Sequence, residues 1–425
     1  MKKIVAMLAM ALTVALAAAL PALAADPLPR AKPESVGMSS QRLNAIGTTL
    51  RADIEKGRIP GAVVAIARKG KLVYFEAFGY TDKAAGTPMT TDAVFNIASM
   101  TKPMVTAGAL TLYEEGRVLM DDPISKFLPQ FAKMQVAVMT ADGSAITGMV
   151  PAARQITVQD LMRHTSGIIY GARGNTAVHK LYQEAIPSLY TIASRDFLDK
   201  LGSLPLLYQP GTVWDYGYSI DVIGLMVERL SGQSLGGFLG ERLFKPLGMT
   251  DTGFFVPAAS LKRYAKALPN DPDTGRPQPE RDLSKPIGFE CGGGCIASTA
   301  TDYMRFVQML LHKGTFNGKR ILGRKSVEFM LANHLSPEMK NLVGNADPTR
   351  ADYGFGLGLA VRTTPGIVRL QGSVGDFSWP GASGTNWWGD PKEELAVVFM
   401  SAAPGPIRWH YRQVINALVY QAITD

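Results

Sequence analysis

The chain has 425 residues, which is enough for one large domain or for two coupled domains. Its formal net charge of +8 comes from basic residues that are scattered along the chain rather than clustered beside aromatic residues. This scatter argues against a nucleic-acid-binding surface. The five histidines form no group with the spacing of metal ligands, so we expect no metal site, and nothing in the sequence calls for a cofactor.

The N-terminus has the pattern of a secretory signal peptide. Two lysines follow Met1, a nearly uninterrupted apolar run covers residues 4–20, and an Ala-x-Ala site ends at Ala24. A membrane anchor is the alternative, but the polar residues that follow favour cleavage after Ala24. No later run is long and apolar enough to span a bilayer. We therefore expect residues 1–24 to be a signal peptide, and the mature protein to be periplasmic or secreted without a stable membrane anchor.

Apolar periodicity predicts the secondary structure of the mature chain. The N-terminal part should contain a helix from Ser40 to Gly57, a β-hairpin over 62–67 and 72–75, and a helix from Thr101 to Gly116. Helical patterns continue to about residue 247, with a polar, Gly-containing interruption at 141–151. The remaining predictions are a surface loop at 269–286, helices at 299–312 and 407–423, and strands at 355–361, 367–371, 385–388 and 395–400.

Strand patterns at both ends of the chain enclose a long helical region. This order predicts an α+β fold (an α/β sandwich), in which helices flank an antiparallel sheet built from N- and C-terminal segments. A mostly helical subdomain is inserted into it. We expect one domain over residues 25–425, with a sheet subdomain at about 25–98 and 285–425 and a helical subdomain at about 99–284.

Ser99 and Lys102 form a Ser-x-x-Lys motif at the start of the predicted helix. Residues three apart lie on one helix face, so the Lys102 amine can reach the Ser99 hydroxyl. The free N–H groups and the positive end of the helix dipole stabilise negative charge at this position. A nucleophile beside a base is the minimum requirement for covalent acyl transfer. The alternative is a serine that caps a helix, followed by a solvated lysine.

Three further segments follow in a fixed order. They are Leu-Met-Arg-His-Thr-Ser-Gly at 161–167, Trp-Asp-Tyr-Gly-Tyr-Ser-Ile-Asp-Val-Ile-Gly at 214–224, and Trp-Pro-Gly-Ala-Ser-Gly-Thr-Asn-Trp-Trp at 379–388. With the Ser-x-x-Lys motif they resemble the serine β-lactamase-like superfamily. Within it the chain is most similar to family VIII carboxylesterases, relatives of class C β-lactamases and D-Ala-D-Ala carboxypeptidases. The resemblance covers essentially all of the mature chain.

The resemblance implies a catalytic role for three side chains. Ser99 would be the nucleophile, Lys102 its neighbouring base, and Tyr216 the tyrosine of the Tyr-x-Asn element. The register of Tyr216 comes from the Asp-Val-Ile-Gly run at 221–224, and Tyr218 is the alternative. The positive charge of Lys102 would favour the phenolate form of Tyr216, which could then accept the serine proton.

The segment at 379–388 would supply the rest of the site. The N–H groups of Ser99 and Ala382 would form the oxyanion hole, and Trp379, Gly381 and Tyr218 would contact the substrate. His164 matches a turn of the family and is expected to hold that turn rather than to act as a base.

Two departures from the β-lactamase pattern bear on the substrate. Tyr218 replaces the asparagine of Tyr-x-Asn, and Trp379 replaces the lysine of Lys-Thr-Gly, which would attract a carboxylate. Both changes favour a small uncharged ester, and we expect a serine carboxylesterase. A β-lactamase or D-Ala-D-Ala carboxypeptidase is the second hypothesis, and a non-catalytic cell-wall binding module is the third. The sequence does not indicate the oligomeric state.

Cys291 and Cys295 are the two cysteines of the chain and enclose three glycines. In an oxidising compartment they could form a disulfide, which for so short a loop would stabilise the fold by about 2 kcal/mol. Two reduced thiols are the alternative.

Overall fold

The computed structural model describes residues 26–278 and 281–425. The predicted signal peptide, residues 1–24, lies outside the described residues. Within the described ranges, no helix combines the length and the apolar character needed to cross a bilayer.

Helices are distributed along the whole described chain. The α-helices are α1 (Ser40–Glu55), α2 (Thr101–Glu114), α3 (Val158–Met162), α4 (Ala177–Ala185), α5 (Ser194–Ser203), α6 (Ser219–Ser231), α7 (Leu235–Leu239), α8 (Lys245–Leu247), α9 (Ala300–Leu311), α10 (Arg324–Met330), α11 (Val343–Ala346) and α12 (Ile407–Tyr420).

Strands are concentrated near the two ends of the described chain. The strands are β1 (Gly61–Arg68), β2 (Lys71–Asp82), β3 (Thr87–Pro88), β4 (Phe95–Asn96), β5 (Gln135–Met139), β6 (Ile146–Pro151), β7 (Val213–Trp214), β8 (Ala297–Ser298), β9 (Thr315–Phe316), β10 (Lys319–Arg320), β11 (Lys340–Asn341), β12 (Gly354–Phe355), β13 (Ala360–Val361), β14 (Phe377–Ser378), β15 (Asn386–Asp390) and β16 (Leu395–Ser401).

The main sheet joins strands from the two ends of the chain. Its order is β12-β13-β14-β15-β16-β1-β2-β3, and its neighbours are antiparallel. Strand β16 pairs with β1 over its whole length, from Ala62 opposite Ser401 to Arg68 opposite Leu395. The predicted α+β fold, with an antiparallel sheet built from both ends of the chain, is therefore confirmed. The subdomain boundaries within it stay a prediction.

Strand β1 is buried on both faces because helices cover both sides of the sheet. Val64 and Ile66 belong to an apolar cluster with α1 and α12, whereas Val63 and Ala65 belong to the larger cluster that contains α2 and α9. This alternation follows from the period of two in a strand, which points successive side chains to opposite faces. The larger cluster continues into the helical region, so it connects the sheet to the helices around the site.

Helix α2 lies in the interior of the larger cluster. Every residue from Thr101 to Leu112 is buried. A helix that is apolar on all sides is expected in such a position. Gly108 permits close packing, since a Cβ there would lie 2.4 Å from Leu239 Cδ2 of α7. Lys102 is the charged residue of this buried stretch, so its amine needs partners inside the protein.

The prediction of a strand at 367–371 was wrong. Residues 367–371 contain no strand, because side chains satisfy the backbone there instead of a neighbouring strand. Arg362 donates to the carbonyl oxygens of Leu370 and Gln371, and the Asn416 side chain binds both the N–H and the carbonyl of Gln371. The polar interruption at 141–151 also differs from a simple loop, since it includes β6 and turns at Gly143 with a φ of 70°.

Candidate active site

Ser99 lies in a tight turn between β4 and α2. Asn96 stabilises this turn, because its side-chain oxygen accepts a hydrogen bond from the Ala98 N–H at 2.9 Å. Ala98 has a φ of 44°, in the left-handed region that residues other than glycine rarely adopt. Strained backbone of this kind is concentrated at functional sites. The turn places Ser99, which is half-buried, at the N-terminal end of α2.

The side chain of Lys102 is fully buried and has three acceptors for its three donors. Its Nζ lies 2.5 Å from the Gly293 carbonyl oxygen, 3.2 Å from the Tyr170 hydroxyl and 3.4 Å from Ser99 Oγ. The 3.4 Å distance between Lys102 Nζ and Ser99 Oγ is long for a hydrogen bond, so this hydrogen bond is weak and breaks readily. The predicted neighbours Ser99 and Lys102 are thus brought together.

Tyr216 also contacts the Lys102 ammonium. Its ring faces the ammonium, with Nζ 4.5 Å from the ring centroid, which is a cation–π distance. Its hydroxyl oxygen accepts a hydrogen bond from Trp379 Nε1 at 2.8 Å. The indole N–H therefore fixes the position of that oxygen.

Tyr218 is separated from Lys102. Its ring packs edge-on against Tyr170 and Phe197, with centroids 4.5 and 5.5 Å away. Burial and the nearby Asp221 carboxylate raise the pKa of Tyr218 far above its usual value. Of the two tyrosines proposed from the sequence, Tyr216 is therefore the better placed to exchange a proton at Ser99.

Tyr170 is a member of the site that the sequence analysis missed. Its hydroxyl contacts the Lys102 ammonium and donates to Asp221 Oδ2 at 3.4 Å. Burial, followed by the Asp221 carboxylate, raises the pKa of Tyr170 well above its usual value, so its hydroxyl keeps its proton. Tyr170 is thus suited to hold Lys102 rather than to act as a base. Tyr170 comes three residues after the Thr-Ser-Gly run at 165–167, and this spacing alone does not indicate a site residue.

Asp221 and Gly293 were missed for different reasons. Asp221 is a fully buried carboxylate among the apolar residues of α6, and its Oδ1 accepts from the Gly293 N–H at 2.8 Å. A carboxylate inside an apolar helix needs partners, and this requirement was a usable signal. Gly293 contributes only backbone atoms, and nothing in the sequence marks such a contribution.

Trp379 differs from its expected role. The sequence analysis placed its indole against the substrate, but the side chain is only 2% exposed. The indole packs against Trp214, Tyr216 and Phe355, with centroids 5.1–5.9 Å away, and its N–H holds the Tyr216 hydroxyl. Trp379 therefore holds the Tyr216 hydroxyl and does not present its indole to the surface.

Gly381 and Ala382 lie where a backbone donor could face Ser99. A Cβ on Gly381 would come within 2.3 Å of the Ile97 carbonyl oxygen, so only glycine allows the segment between β14 and β15 to lie this close to the Ser99 turn. Arg412 fixes the Gly381 carbonyl with a hydrogen bond of 2.8 Å. Ala382 is exposed, and no other described residue accepts a hydrogen bond from its N–H. These features agree with a second oxyanion donor at Ala382.

The surroundings of His164 fit a structural role rather than that of a base. Its backbone is in the left-handed region, with a φ of 58°, and its carbonyl accepts from the Asp215 N–H at 3.0 Å. Neither ring nitrogen has a hydrogen-bond partner among the described residues. Burial, followed by the charge of Lys102, lowers the pKa of His164 well below its usual value, so the ring is neutral. It packs 5.0 Å from Tyr216 and links this tyrosine to the turn.

Cys291 and Cys295 are joined by a disulfide in the structure, with their Cα atoms 5.3 Å apart. This separation lies within the usual range of about 4.4–6.8 Å. We expect thiol titration of the denatured, unreduced protein to find no free sulfhydryl, and the same sample after reduction to give both. Two free sulfhydryls before reduction would show that the exported protein keeps its thiols.

Comparisons with known proteins agree with this geometry. Residues 46–418 match the family model described as Beta-lactamase. "Protein Rv1367c" of Mycobacterium tuberculosis is 37% identical over 83% of this chain and 88% of its own length. "Esterase EstB" of Burkholderia gladioli is 28% identical over 86% of this chain and 92% of its own. The solved structure of "EstCE1, a hydrolase with promiscuous acyltransferase activity" has a TM-score of 0.72 at 25% identity, covering 89% of this chain and 99% of that one.

Proposed function

The chain belongs to the Beta-lactamase family and is a serine hydrolase of that superfamily, and we propose that it cleaves short-chain carboxylic esters through an acyl-enzyme on Ser99. The position of Lys102 carries this proposal. Its buried ammonium lies 3.4 Å from Ser99 Oγ and 4.5 Å from the centroid of the Tyr216 ring. A nucleophile, a cation and the proposed proton acceptor therefore belong to one small site.

The proposed reaction has two half-reactions. In the first, Ser99 Oγ attacks the ester carbonyl carbon, its proton passes to the phenolate oxygen of Tyr216, and the N–H groups of Ser99 and Ala382 bind the oxyanion. The C–O bond of the ester then breaks, and Tyr216 returns the proton to the departing alcohol. In the second, water attacks the acyl-enzyme along the same path, which releases the carboxylic acid and restores Ser99.

A cavity lies beside Ala382, the proposed oxyanion donor, although Ser99 itself does not line it. A cavity of about 390 Å³ borders Ala382, and Phe95, Ala265, Pro404 and Pro406 contribute apolar walls to it. Its volume lies within the range of about 300–1,000 Å³ that is usual for small-molecule sites. The esterase relatives support an ester as the substrate class, whereas the cavity does not select a neutral one, because Lys266, Asp271, Arg276 and Arg281 also line it.

A β-lactam or a peptide with a free carboxylate is the second candidate substrate. Trp379 provides no cation at the position where β-lactamases carry a lysine, which disfavours this candidate. However, Arg173 is exposed and lies 5.4 Å from the Tyr216 ring centroid, so one guanidinium is available near the site for an anionic substrate.

A paired assay distinguishes the two candidates. With p-nitrophenyl butyrate we expect a burst of p-nitrophenol that approaches one per enzyme molecule, and kcat/KM for nitrocefin should be about ten- to a hundredfold lower. The reason is that Trp379 replaces the lysine that would offset the desolvation of a substrate carboxylate. Ser99→Ala should remove both activities. The ester proposal fails if the wild type turns over nitrocefin as fast as the short ester.

Export of the mature protein is part of the same proposal. N-terminal sequencing of the protein recovered from periplasm or medium should begin at Ala25, after cleavage behind Ala24. Recovery of an intact Met1 terminus in the cytoplasm would contradict it.

A further inference from the structure

The disulfide-closed loop between Cys291 and Cys295 makes direct contact with the site. Its central residue, Gly293, forms hydrogen bonds with both its carbonyl oxygen and its N–H group. The carbonyl oxygen accepts from Lys102 Nζ at 2.5 Å, and the N–H donates to Asp221 Oδ1 at 2.8 Å. A single glycine therefore connects the buried amine with a buried carboxylate.

The remaining contacts close a ring of hydrogen bonds. The second oxygen of Asp221 accepts from the Tyr170 hydroxyl at 3.4 Å, and that hydroxyl accepts from Lys102 at 3.2 Å. Lys102 thus binds Tyr170 and Gly293, and both of these residues are hydrogen-bonded to the Asp221 carboxylate. Networks of this kind restrict a side chain more than separate hydrogen bonds do.

Resting on the proposed function, we propose that Tyr170, Asp221 and Gly293 are positioning residues that hold Lys102 against Ser99, and that the disulfide keeps Gly293 in place. We call these three residues the lysine cradle. They contact the amine or each other, whereas Ser99, Lys102 and Tyr216 carry the chemistry. The cross-link restricts the loop so that the Gly293 carbonyl faces inward instead of turning to solvent.

The packing of the loop explains why Gly293 has no side chain. A Cβ on Gly293 would lie 2.4 Å from Asp221 Oδ2, so alanine there must displace the carboxylate. Gly294 differs, since its Cβ would lie 3.5 Å from the nearest atom, a normal contact. Neither glycine has a positive φ. The two positions therefore form a matched pair, in which only one substitution disturbs the cradle.

The first test compares Gly293→Ala with Gly294→Ala. Gly293→Ala should lower kcat for p-nitrophenyl butyrate roughly ten- to a hundredfold, because Lys102 loses its fixed position, while KM changes by less than about threefold. Gly294→Ala should stay within about threefold of the wild type in both constants. Equal kcat values for the two variants, with the thermal melts showing both folded, would overturn the proposal.

The second test removes the cross-link. Cys291→Ala combined with Cys295→Ala should lower kcat in the same way as Gly293→Ala, again with little change in KM. The cysteines are fully buried, so substitution is a more direct test than a reductant added to the native protein. A folded double variant with wild-type kcat would show that the disulfide does not support the cradle.

The third test follows Asp221 by pH. Burial raises the pKa of Asp221 to about 6, although Lys102, the Gly293 N–H and Tyr170 act in the opposite direction. The titratable groups facing Asp221 are Lys102, Tyr170, Tyr190 and Tyr218. Below about pH 6 the carboxylate becomes protonated and holds its donors less well, so wild-type kcat should fall. Asp221→Asn should lower kcat and abolish this acid limb, and an unchanged limb would contradict the role of Asp221.

Labelling with a serine-directed phosphonate separates this proposal from the choice of substrate. If the wild type is labelled at Ser99 but cleaves no ester, the ester proposal fails, and the labelling rates of the same variants test the cradle. A slow rate for Gly293→Ala beside a normal rate for Gly294→Ala supports the cradle, and equal rates overturn it. A wild type that is not labelled at Ser99 overturns both proposals.

Discussion

Ser99→Ala and Lys102→Ala will each lower kcat for short esters by several orders of magnitude, on the order of 10⁴-fold. The first removes the atom that becomes acylated. The second removes the cation that lies 3.4 Å from that atom and faces the Tyr216 ring. Both losses are measured from steady-state kinetics with p-nitrophenyl butyrate.

The combination of the two substitutions distinguishes a catalytic unit from independent contributions. Because Ser99 and Lys102 act in one step, the double variant should be little worse than either single variant. Lys126→Ala is a suitable control, since this lysine lies at the surface with a single carboxylate partner, Asp122, and should leave kcat unchanged. Additive losses in the double variant, or substantial activity without Ser99, would contradict the proposed chemistry.

Tyr216→Phe will lower kcat about 10²- to 10⁴-fold with a smaller effect on KM, because it removes the atom that carries the proton between Ser99 and the leaving group. Trp379→Phe should act through the same atom. Loss of the indole N–H from the Tyr216 oxygen, a contact of 2.8 Å, should cost about 1.5–3 kcal/mol in the transition state, or roughly ten- to a hundredfold in kcat.

Trp214→Phe is the matched control for Trp379→Phe. Trp214 is also buried beside Tyr216, with ring centroids 6.1 Å apart, but its indole N–H has no partner among the described residues. Both substitutions remove the same atoms, and only one removes a hydrogen bond to Tyr216. Equal kcat losses in the two variants, or Trp379→Phe losses that simply add to those of Tyr216→Phe, would show that the indole N–H is not the important feature.

These tests also revise the sequence-based view of substrate choice. From the sequence, Trp379 was expected to contact the substrate. Its burial means that it excludes a cation from this position and orients the tyrosine instead. We propose that the choice between a neutral and an anionic substrate depends on the surroundings of Ala382 and on Arg173, which are nearer the surface.

The fold and the main catalytic candidates were predictable because their signals are local. The Ser-x-x-Lys spacing lies within one turn of α2, and the Asp-Val-Ile-Gly run lies within α6, close to Tyr216 in sequence. Continuous apolar runs predicted β1 and β16 because both faces of these strands are buried. The partly exposed β2 was predicted as the second strand of the hairpin.

The rest of the site depends on contacts between distant parts of the chain. Lys102 meets Tyr170 across 68 positions and Gly293 across 191, and neither contact has a periodic pattern. The Trp379–Tyr216 bond joins residues 163 positions apart, so only the folded chain shows where the indole N–H points. The strand expected at 367–371 failed for the same reason, because Arg362 and Asn416 satisfy its backbone.

The central claim, acylation of Ser99, has one most direct measurement. Enzyme mixed with p-nitrophenyl butyrate and quenched in acid during the burst is digested, and its peptides are examined by mass spectrometry. We expect a butyryl group on Ser99 in an amount that matches the burst, and none in the Lys102→Ala enzyme after the same time. A butyryl group on another residue, or a full burst with Ser99 unmodified, would contradict the mechanism.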